Sequence, residues 1–187
     1  MDVPTRLVLR RTAYDHPHVT AMVEQVQDEY RRIYQDEGDT SPTAPADFVA
    51  PRGYFVVGYA GGEPVAMGGW RRLEPGYGGP GRRPAEIKRM YVVPAGRGRG
   101  WSRVVLADLE HSARAASVDW LVLETGDQQP AALVLYRSAG YGPVPRFGHY
   151  AAYDDAVHLG KHLTGQPDGH PSTARQPTHG GANRVGS

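Results

Sequence analysis

The sequence contains no cysteine. That absence excludes a disulfide scaffold, a thiol nucleophile and every cysteine-ligated metal site, and it fits a cytoplasmic setting. Neither sign of charge is in excess, since 21 lysines and arginines face 20 aspartates and glutamates for a formal net charge of +1. A chain so balanced offers no strong field to nucleic acid or to an anionic membrane, and neither is expected as a partner. Long apolar runs are also missing, so no segment is expected to span a bilayer. The opening Met1-Asp2-Val3-Pro4 carries an acid and a proline without an apolar run and is not expected to act as a signal peptide. Convergent histidines are lacking too. His16 with His18, His158 with His162, and His170 with His179 do not stand at metal-site spacing, so no metal is expected.

What is present suits one domain with a real core: 187 residues, 40% of them apolar. Residues 5–11 show period-2 character and read as a first strand. Val19, Val23, Val26 and Tyr30 recur at helical spacing, with His18 or Thr20 near the cap. Residues 36–51 are rich in Gly, Pro, Asp, Ser and Thr and read as a long loop with one helical turn around 46–49; loops of that length often cover a site. Strands over 54–60 and 64–72 are joined by Gly61-Gly62, good hairpin chemistry. A strand over 85–93 runs through a glycine-rich turn into a helix over 100–116, where Trp101, Val105, Leu109 and Ala113 share a face. Then come a strand over 119–124, a helix over 130–139 with its proline in the first turn, a strand-like run over 140–150 and a last strand over 156–163. The expected folding unit is residues 4–163, an α/β domain with a central mixed sheet and helices on both faces. Residues 164–187 have almost nothing to bury and are expected to be a disordered tail.

The turn Arg97-Gly98-Arg99-Gly100-Trp101-Ser102 has a direct physical reading. The first amides of a helix lack internal partners, and the helix dipole adds partial positive charge there. Glycine lets backbone approach a phosphate closely, and Ser102 is too small to shield the amides. Arg97 and Arg99 add charge-assisted bonds if they turn toward the ligand. Together these form a pyrophosphate cradle. A Walker loop would need a lysine after the glycines, and none follows. A dinucleotide fingerprint starting at Gly96 would place its third glycine at Trp101, and one starting at Gly98 would place it at Arg103. The arginine–glycine run is one short copy without stacking aromatics, unlike RNA-binding segments.

On these residues the sequence resembles the GNAT N-acetyltransferase superfamily, whose cofactor motif is Gln/Arg-x-x-Gly-x-Gly/Ala. Here it reads Arg97-x-x-Gly100-x-Ser102, with serine for the last small residue. Further likeness lies in Lys88-Arg89-Met90-Tyr91-Val92, in Leu123-Glu124-Thr125-Gly126, and in Ala132 through Leu135-Tyr136 to Gly140-Tyr141. The chain looks most like small bacterial members that carry Leu-Glu-Thr-Gly, Gln-Pro and a Phe-Gly-x-Tyr element, here Phe147-Gly148-His149-Tyr150. The resemblance covers most of residues 5–163. It implies a mixed, mostly antiparallel twisted sheet splayed between its fourth and fifth strands. It also implies acetyl-CoA as cofactor, CoA as product, a small-molecule or peptide amine as partner, and homodimers. By the same resemblance Met90, Tyr91 and Val92 lie along the pantetheine arm, and Gln129 stands where many members bind the cofactor with an asparagine.

Acetyl transfer from a thioester to an amine needs a neutral amine, although an alkylammonium has a pKa of about 10. It also needs a polarised carbonyl and a stabilised thiolate. Glu86 is a candidate base: it lies mid-strand where an acid is costly unless paired or useful, and burial would raise its pKa. Its eleven-residue distance from Arg97 matches the glutamate base of histone-acetylating relatives. The alternatives for Glu86 are facing solvent or pairing with Lys88, Arg89 or Arg83, and Glu124 is the alternative acid. Period 2 would put Glu86, Lys88 and Met90 on one face. By resemblance Tyr136 is the general acid or thiol anchor. Tyr30, Tyr34, Trp70, Phe147 and Tyr150 are candidate walls of the amine pocket or members of the core, and Glu29, Asp36 and Glu37 are acids that either attract a cationic amine or merely sit on a solvated helix and loop. Two other functions fit parts of the pattern: a non-catalytic CoA-binding regulatory module and a dinucleotide-binding enzyme.

Overall fold

Alternating apolar residues become seven strands, and the helical periods become three α-helices, in a computed structural model that describes residues 6–74 and 76–163. The chain runs β1 (Val8–Arg11), α1 (Pro17–Tyr34), β2 (Gly53–Ala60), β3 (Glu63–Arg72), β4 (Pro84–Val92), α2 (Trp101–Ala115), β5 (Trp120–Gly126), α3 (Pro130–Ser138), β6 (Gly142–Pro143) and β7 (Ala156–His162). A 3₁₀ turn, Pro45–Phe48, lies in the long loop after α1. The strands form one sheet in the order β1-β2-β3-β4-β5-β7-β6. Every pairing is antiparallel except β4 with β5. That arrangement is no doubly wound parallel sheet, so the dinucleotide reading loses its fold. The expected tail, residues 164–187, lies outside the described residues.

Each face of the sheet has its own core. α1 buries Val19, Met22 and Val26 against Phe48, Phe55, Val57, Met67 and Tyr91. α2 buries Val105, Leu106, Leu109 and Ala113 against Val56, Trp70, Ile87, Leu121 and Leu123, and Tyr136 of α3 joins that side. Burying one such aliphatic side chain contributes about 1.5–3 kcal/mol, so these faces fix α2 and α3 opposite α1.

The α1 cap is His16, one of the two histidines that flank Pro17; its Nδ1 accepts from the amide of the other, His18, at 3.1 Å. One local expectation needs correction. The run over 140–150 pairs only at Gly142–Pro143, because Pro143 and Pro145 remove ladder donors.

The decisive feature is in β4. Its pairing with β5 is confined to Pro84, Ala85 and Glu86, opposite Trp120, Leu121 and Val122. Beyond that point β5 continues against β7, while β4 continues against β3 alone. The β3–β4 register shifts between Met67 and Gly69, and Arg89 there has φ +58°. An extra residue at a bulge bends its strand and adds twist. It also breaks the alternation expected for Glu86, Lys88 and Met90. Lys88 and Arg89 both face α1, whereas Met90 packs into the α2 core.

Candidate active site

The gap opened by β4 and β5 leads to two cavities. The larger, about 370 Å³, is walled by Val26, Glu29, Tyr30 and Ile33 of α1, by Met90, Tyr91 and Val92, by most of the turn from Gly96 to Ser102, and by Gln128, Gln129 and the inner face of α3 with Tyr136. At its head the amides of Gly98, Gly100, Trp101 and Ser102 donate to no acceptor among the described residues. Gly98 and Gly100 have φ near +77° and +76°, backbone that L side chains resist, and this turns successive N–H groups outward. Gly96 is there for close packing instead, since a Cβ at that position would stand 2.6 Å from the Trp101 ring. The free amides sit at the start of a fifteen-residue helix, whose dipole adds to them. An anionic diphosphate fits this head, and the open edge of β4 offers a following chain a ladder to pair with.

The arginines of the turn are already engaged. Arg97 pairs with Glu29 of α1, donates to the Val92 carbonyl at 3.2 Å and lies over the Tyr91 ring. Arg99 lies over Trp101 at 5.4 Å and lines neither cavity. The cradle is therefore made mainly of backbone.

The second cavity, about 140 Å³, adjoins the first through Tyr30 and Gln129, which line both. Its walls include Tyr34, Asp36, Asp39, Lys88, Glu124, Tyr150, Tyr153 and Asp155. Tyr34 reaches this position because Gly126 has no side chain: a Cβ there would stand 1.7 Å from the Tyr34 hydroxyl. Gln129 Nε2 donates to that hydroxyl at 3.0 Å. The 36–44 loop closes the top. Asp39 is held by Arg89 and accepts from the Tyr150 hydroxyl at 2.8 Å, while Gln27 of α1 bonds the Asp39 backbone at both ends. Burial pushes the Asp39 carboxyl up, but Arg89 and Lys88 outweigh it and hold it low.

Glu124 is the key group of this cavity. Its side chain is 3% exposed, and it sits on β5 just past the last residue paired to β4. Oε1 accepts from the Tyr150 amide at 3.1 Å, an approach that Gly148 permits: a Cβ there would stand 2.9 Å from Oε1. Oε2 accepts no hydrogen bond among the described residues, and Lys88 Nζ stands 3.6 Å away. Burial raises its pKa to about 7 against the pull of Lys88, with Glu86 adding to the rise. Opposite it on β7, His158 Nδ1 lies 3.8 Å from Oε1; burial pushes that imidazole down, toward its neutral form.

Glu86 is placed differently. Its carboxylate takes Arg71 at 3.0 Å and Lys88 at 2.7 Å, and it lines neither cavity. Arg71 in turn pairs with Asp47 and donates to the Pro42 carbonyl at 2.6 Å. A row of alternating charge, Asp47, Arg71, Glu86, Lys88 and Glu124, thus crosses the sheet and ends at the cavity wall.

Tyr136 lines the larger cavity, and its hydroxyl makes no hydrogen bond among the described residues. Burial pushes its pKa up, with Tyr30 adding to the rise, so it remains a phenol. Of the residues expected to wall an amine pocket, Tyr30, Tyr34 and Tyr150 line the smaller cavity. Trp70 is not: its indole lies under α2 and donates to Ser112 at 2.8 Å. Phe147 is buried behind the wall, with its ring edge to His158. Both faces of β3 are covered, so alternation could not tell which face Trp70 takes. Sequence reasoning gave no site role to Asp39, Tyr153, Asp155 or His158 and gave Lys88 only as a partner for Glu86, because their positions depend on cross-strand register and loop closure.

Known proteins share this architecture. The model of the acetyltransferase (GNAT) family matches residues 19–141. A protein named IAA acetyltransferase from Azospirillum brasilense is 38% identical over 97 residues, 51% of this chain; the match spans 59% of that relative's length. Among solved structures, a protein provisionally described as an acyl-CoA N-acyltransferase, from Klebsiella pneumoniae subsp. pneumoniae MGH 78578, is 26% identical with a TM-score of 0.66. The match covers 84% of this chain and 97% of that one. The GNAT domain of S. lividans PAT shares the fold at 21% identity and a TM-score of 0.63, over 87% of this chain and 96% of its own.

Proposed function

The chain belongs to the acetyltransferase (GNAT) family, and from that premise we propose that it moves the acetyl group of acetyl-CoA to a primary amine by direct attack in a ternary complex. The observation that carries this reading is the adjacency of the two cavities. A head of unpaired amides opens one, and an ionisable carboxylate lines the other where β4 and β5 part.

In this reading the amides of Gly98 to Ser102 hold the diphosphate, Met90, Tyr91 and Val92 pair along the arm, and Gln129 closes the far wall. Bound acetyl-CoA supplies an acetyl thioester, an electrophile for a neutral amine. Glu124 makes the amine neutral by taking one ammonium proton onto its carboxylate. Moving a proton from a pKa of about 10 to one of about 7 costs about 4 kcal/mol. That is a modest share of the roughly 16 kcal/mol barrier of an enzyme turning over about ten times per second. Lys88 keeps Glu124 from rising further, and Glu86 holds Lys88 in place. The C–N bond forms as the C–S bond breaks, and the second proton that the nitrogen loses on becoming an amide leaves with the thiolate as CoA thiol. Tyr136 donates a hydrogen bond to the departing thiolate. It anchors rather than protonates, because burial lifts its pKa above 10 while a thiol lies near about 8.5.

The test is calorimetry with acetyl-CoA, followed by thiol release across a panel of amines. Micromolar-range binding with amine-dependent thiol release is expected. Binding without release to any amine would favour a non-catalytic CoA module, and absence of binding would overturn the reading entirely.

A further inference from the structure

We infer that the acceptor is a small amine bearing a second positive charge and no carboxylate, so that a diamine is preferred to a monoamine or an amino acid. This rests on the transfer reading above and assigns its substrate class.

The smaller cavity presents four carboxylates, Asp36, Asp39, Glu124 and Asp155, against one ammonium, Lys88. Their surroundings give them different roles. Asp39 is consumed by Arg89 and the Tyr150 hydroxyl. Glu124 is buried and keeps Oε2 without a hydrogen-bond donor, as a group awaiting one would. Asp36 gives one oxygen to the Gly38 amide at 2.7 Å, and the Asp155 carboxylate has no ion-pair or hydrogen-bond partner among the described residues. Both are exposed, and both belong to the wall of the same cavity. The cavity thus has an acid inside, at the reacting end, and two uncommitted acids at the rim.

The remaining wall is just as selective. Tyr30, Tyr34, Tyr150 and Tyr153 offer π faces and hydroxyl oxygens, which favour a cation over an anion. An acceptor carboxylate would need a cation to meet it. Lys88 is the lone basic residue in the wall, and its Nζ is held by Glu86 at 2.7 Å with Glu124 behind it. A carboxylate entering here would meet like charges and no free donor of positive sign. The cavity's size, about 140 Å³, suits a small molecule.

A matched series isolates the distal group: butylamine, 1,4-diaminobutane and 4-aminobutanoate carry the same reacting amine. A distal ammonium near one or two partly exposed carboxylates is expected to raise kcat/KM about tenfold over butylamine, mostly through KM. The carboxylate of 4-aminobutanoate is expected to lower it by a similar factor. Replacing Asp36 and Asp155 together by Asn should bring the ratio of diamine to butylamine close to one. Equal rates for diamine and butylamine, a preference for 4-aminobutanoate, or acetylation of a lysine peptide in place of the diamine would overturn the inference and leave acetyl transfer standing. If thiol release fails with every amine, the transfer reading falls, and calorimetry of 1,4-diaminobutane on the CoA-bound protein then decides the pocket. Diamine binding tighter than butylamine supports the assignment, and equal or absent binding overturns it.

Discussion

Replacing Glu124 by Gln should make the protein slower and more stable at once, and both effects can be worked from its surroundings. The carboxylate faces Lys88 and Glu86 on β4, His158 on β7, the Tyr150 amide, and the α1 tyrosines Tyr30 and Tyr34 across the cavity. With a pKa of about 7, Glu124 is ionised over a plateau from above pH 7 up to the pKa of the ammonium substrate. In the wild type kcat/KM should therefore rise through pH 7 and level off, because between the two pKa values the carboxylate and the ammonium are both the dominant forms. The Gln variant has no internal base and must wait for free amine. Its rate should be about 10²–10⁴-fold lower at pH 8 and keep climbing about tenfold per pH unit toward pH 10. On stability the sign runs the other way. The folded-state pKa exceeds the ordinary value of 4.5, so the folded protein binds this proton more tightly than the unfolded chain. The stability Glu124 contributes is thus complete below about 4.5 and is lost as pH rises through about 7, an electrostatic penalty of about 3 kcal/mol at pH 8. Gln removes that penalty, less what Lys88 loses, so Tm at pH 8 should rise by a few degrees and the rise should vanish near pH 4.5. Stopped assays of thiol release from pH 6 to 10 and melts at pH 4.5 and 8 measure both. A Gln variant that levels off near pH 7 as the wild type does, or that melts lower at pH 8, refutes the assignment.

Three further outcomes test other parts of the site. Tyr136→Phe removes a hydroxyl with no partner among the described residues, so Tm should hold within about 2 °C while kcat falls about tenfold and acetyl-CoA affinity is unchanged; steady-state kinetics and calorimetry separate the two. Gly100→Ala meets no protein atom within 4 Å, yet forces φ +76° on an L side chain at a cost of about 1–2 kcal/mol. It should weaken acetyl-CoA roughly tenfold in calorimetry with little change in fold. Arg89→Met leaves Asp39 buried without its cation, and urea unfolding should show a loss of about 3–5 kcal/mol, partly recovered by adding Asp39→Asn.

What could be read from the sequence was local. Gly98 and Gly100 announced a turn with exposed amides because their conformation depends on those residues alone. The helix faces of α1 and α2 and the hairpin at Gly61-Gly62 likewise needed only short-range pattern. The Phe-Gly-x-Tyr element was visible too, but its use was not. Gly148 lets the Tyr150 amide reach Glu124, a contact that spans 26 residues. Glu86 and Glu124 looked interchangeable in sequence, since each is an acid in a strand. Register separates them: Glu86 lies opposite Arg71 and inside the paired part of β4, whereas Glu124 lies past it. Lys88 decides the contrast by bonding Glu86 closely and Glu124 loosely.

Arg89 links the parting of β4 and β5 to the smaller cavity. Parting two strands leaves backbone groups without partners, which a sheet resists unless something bends one strand away. In β4 that bend is a bulge with Arg89 at φ +58°, a conformation costing a non-glycine residue about 1–2 kcal/mol. A glycine there would remove the strain, yet the chain keeps an arginine whose guanidinium is buried and joined to Asp39, Tyr14 and Thr43. Two of those contacts, Asp39 and Thr43, come from the 36–44 loop, while Tyr14 precedes α1. The residue that bends β4 is thus held largely by a loop that lines the smaller cavity. A loop displaced from Arg89 would leave its guanidinium without a carboxylate beside a strained bulge, so closure of the smaller cavity and the parting of β4 from β5 stabilise one another.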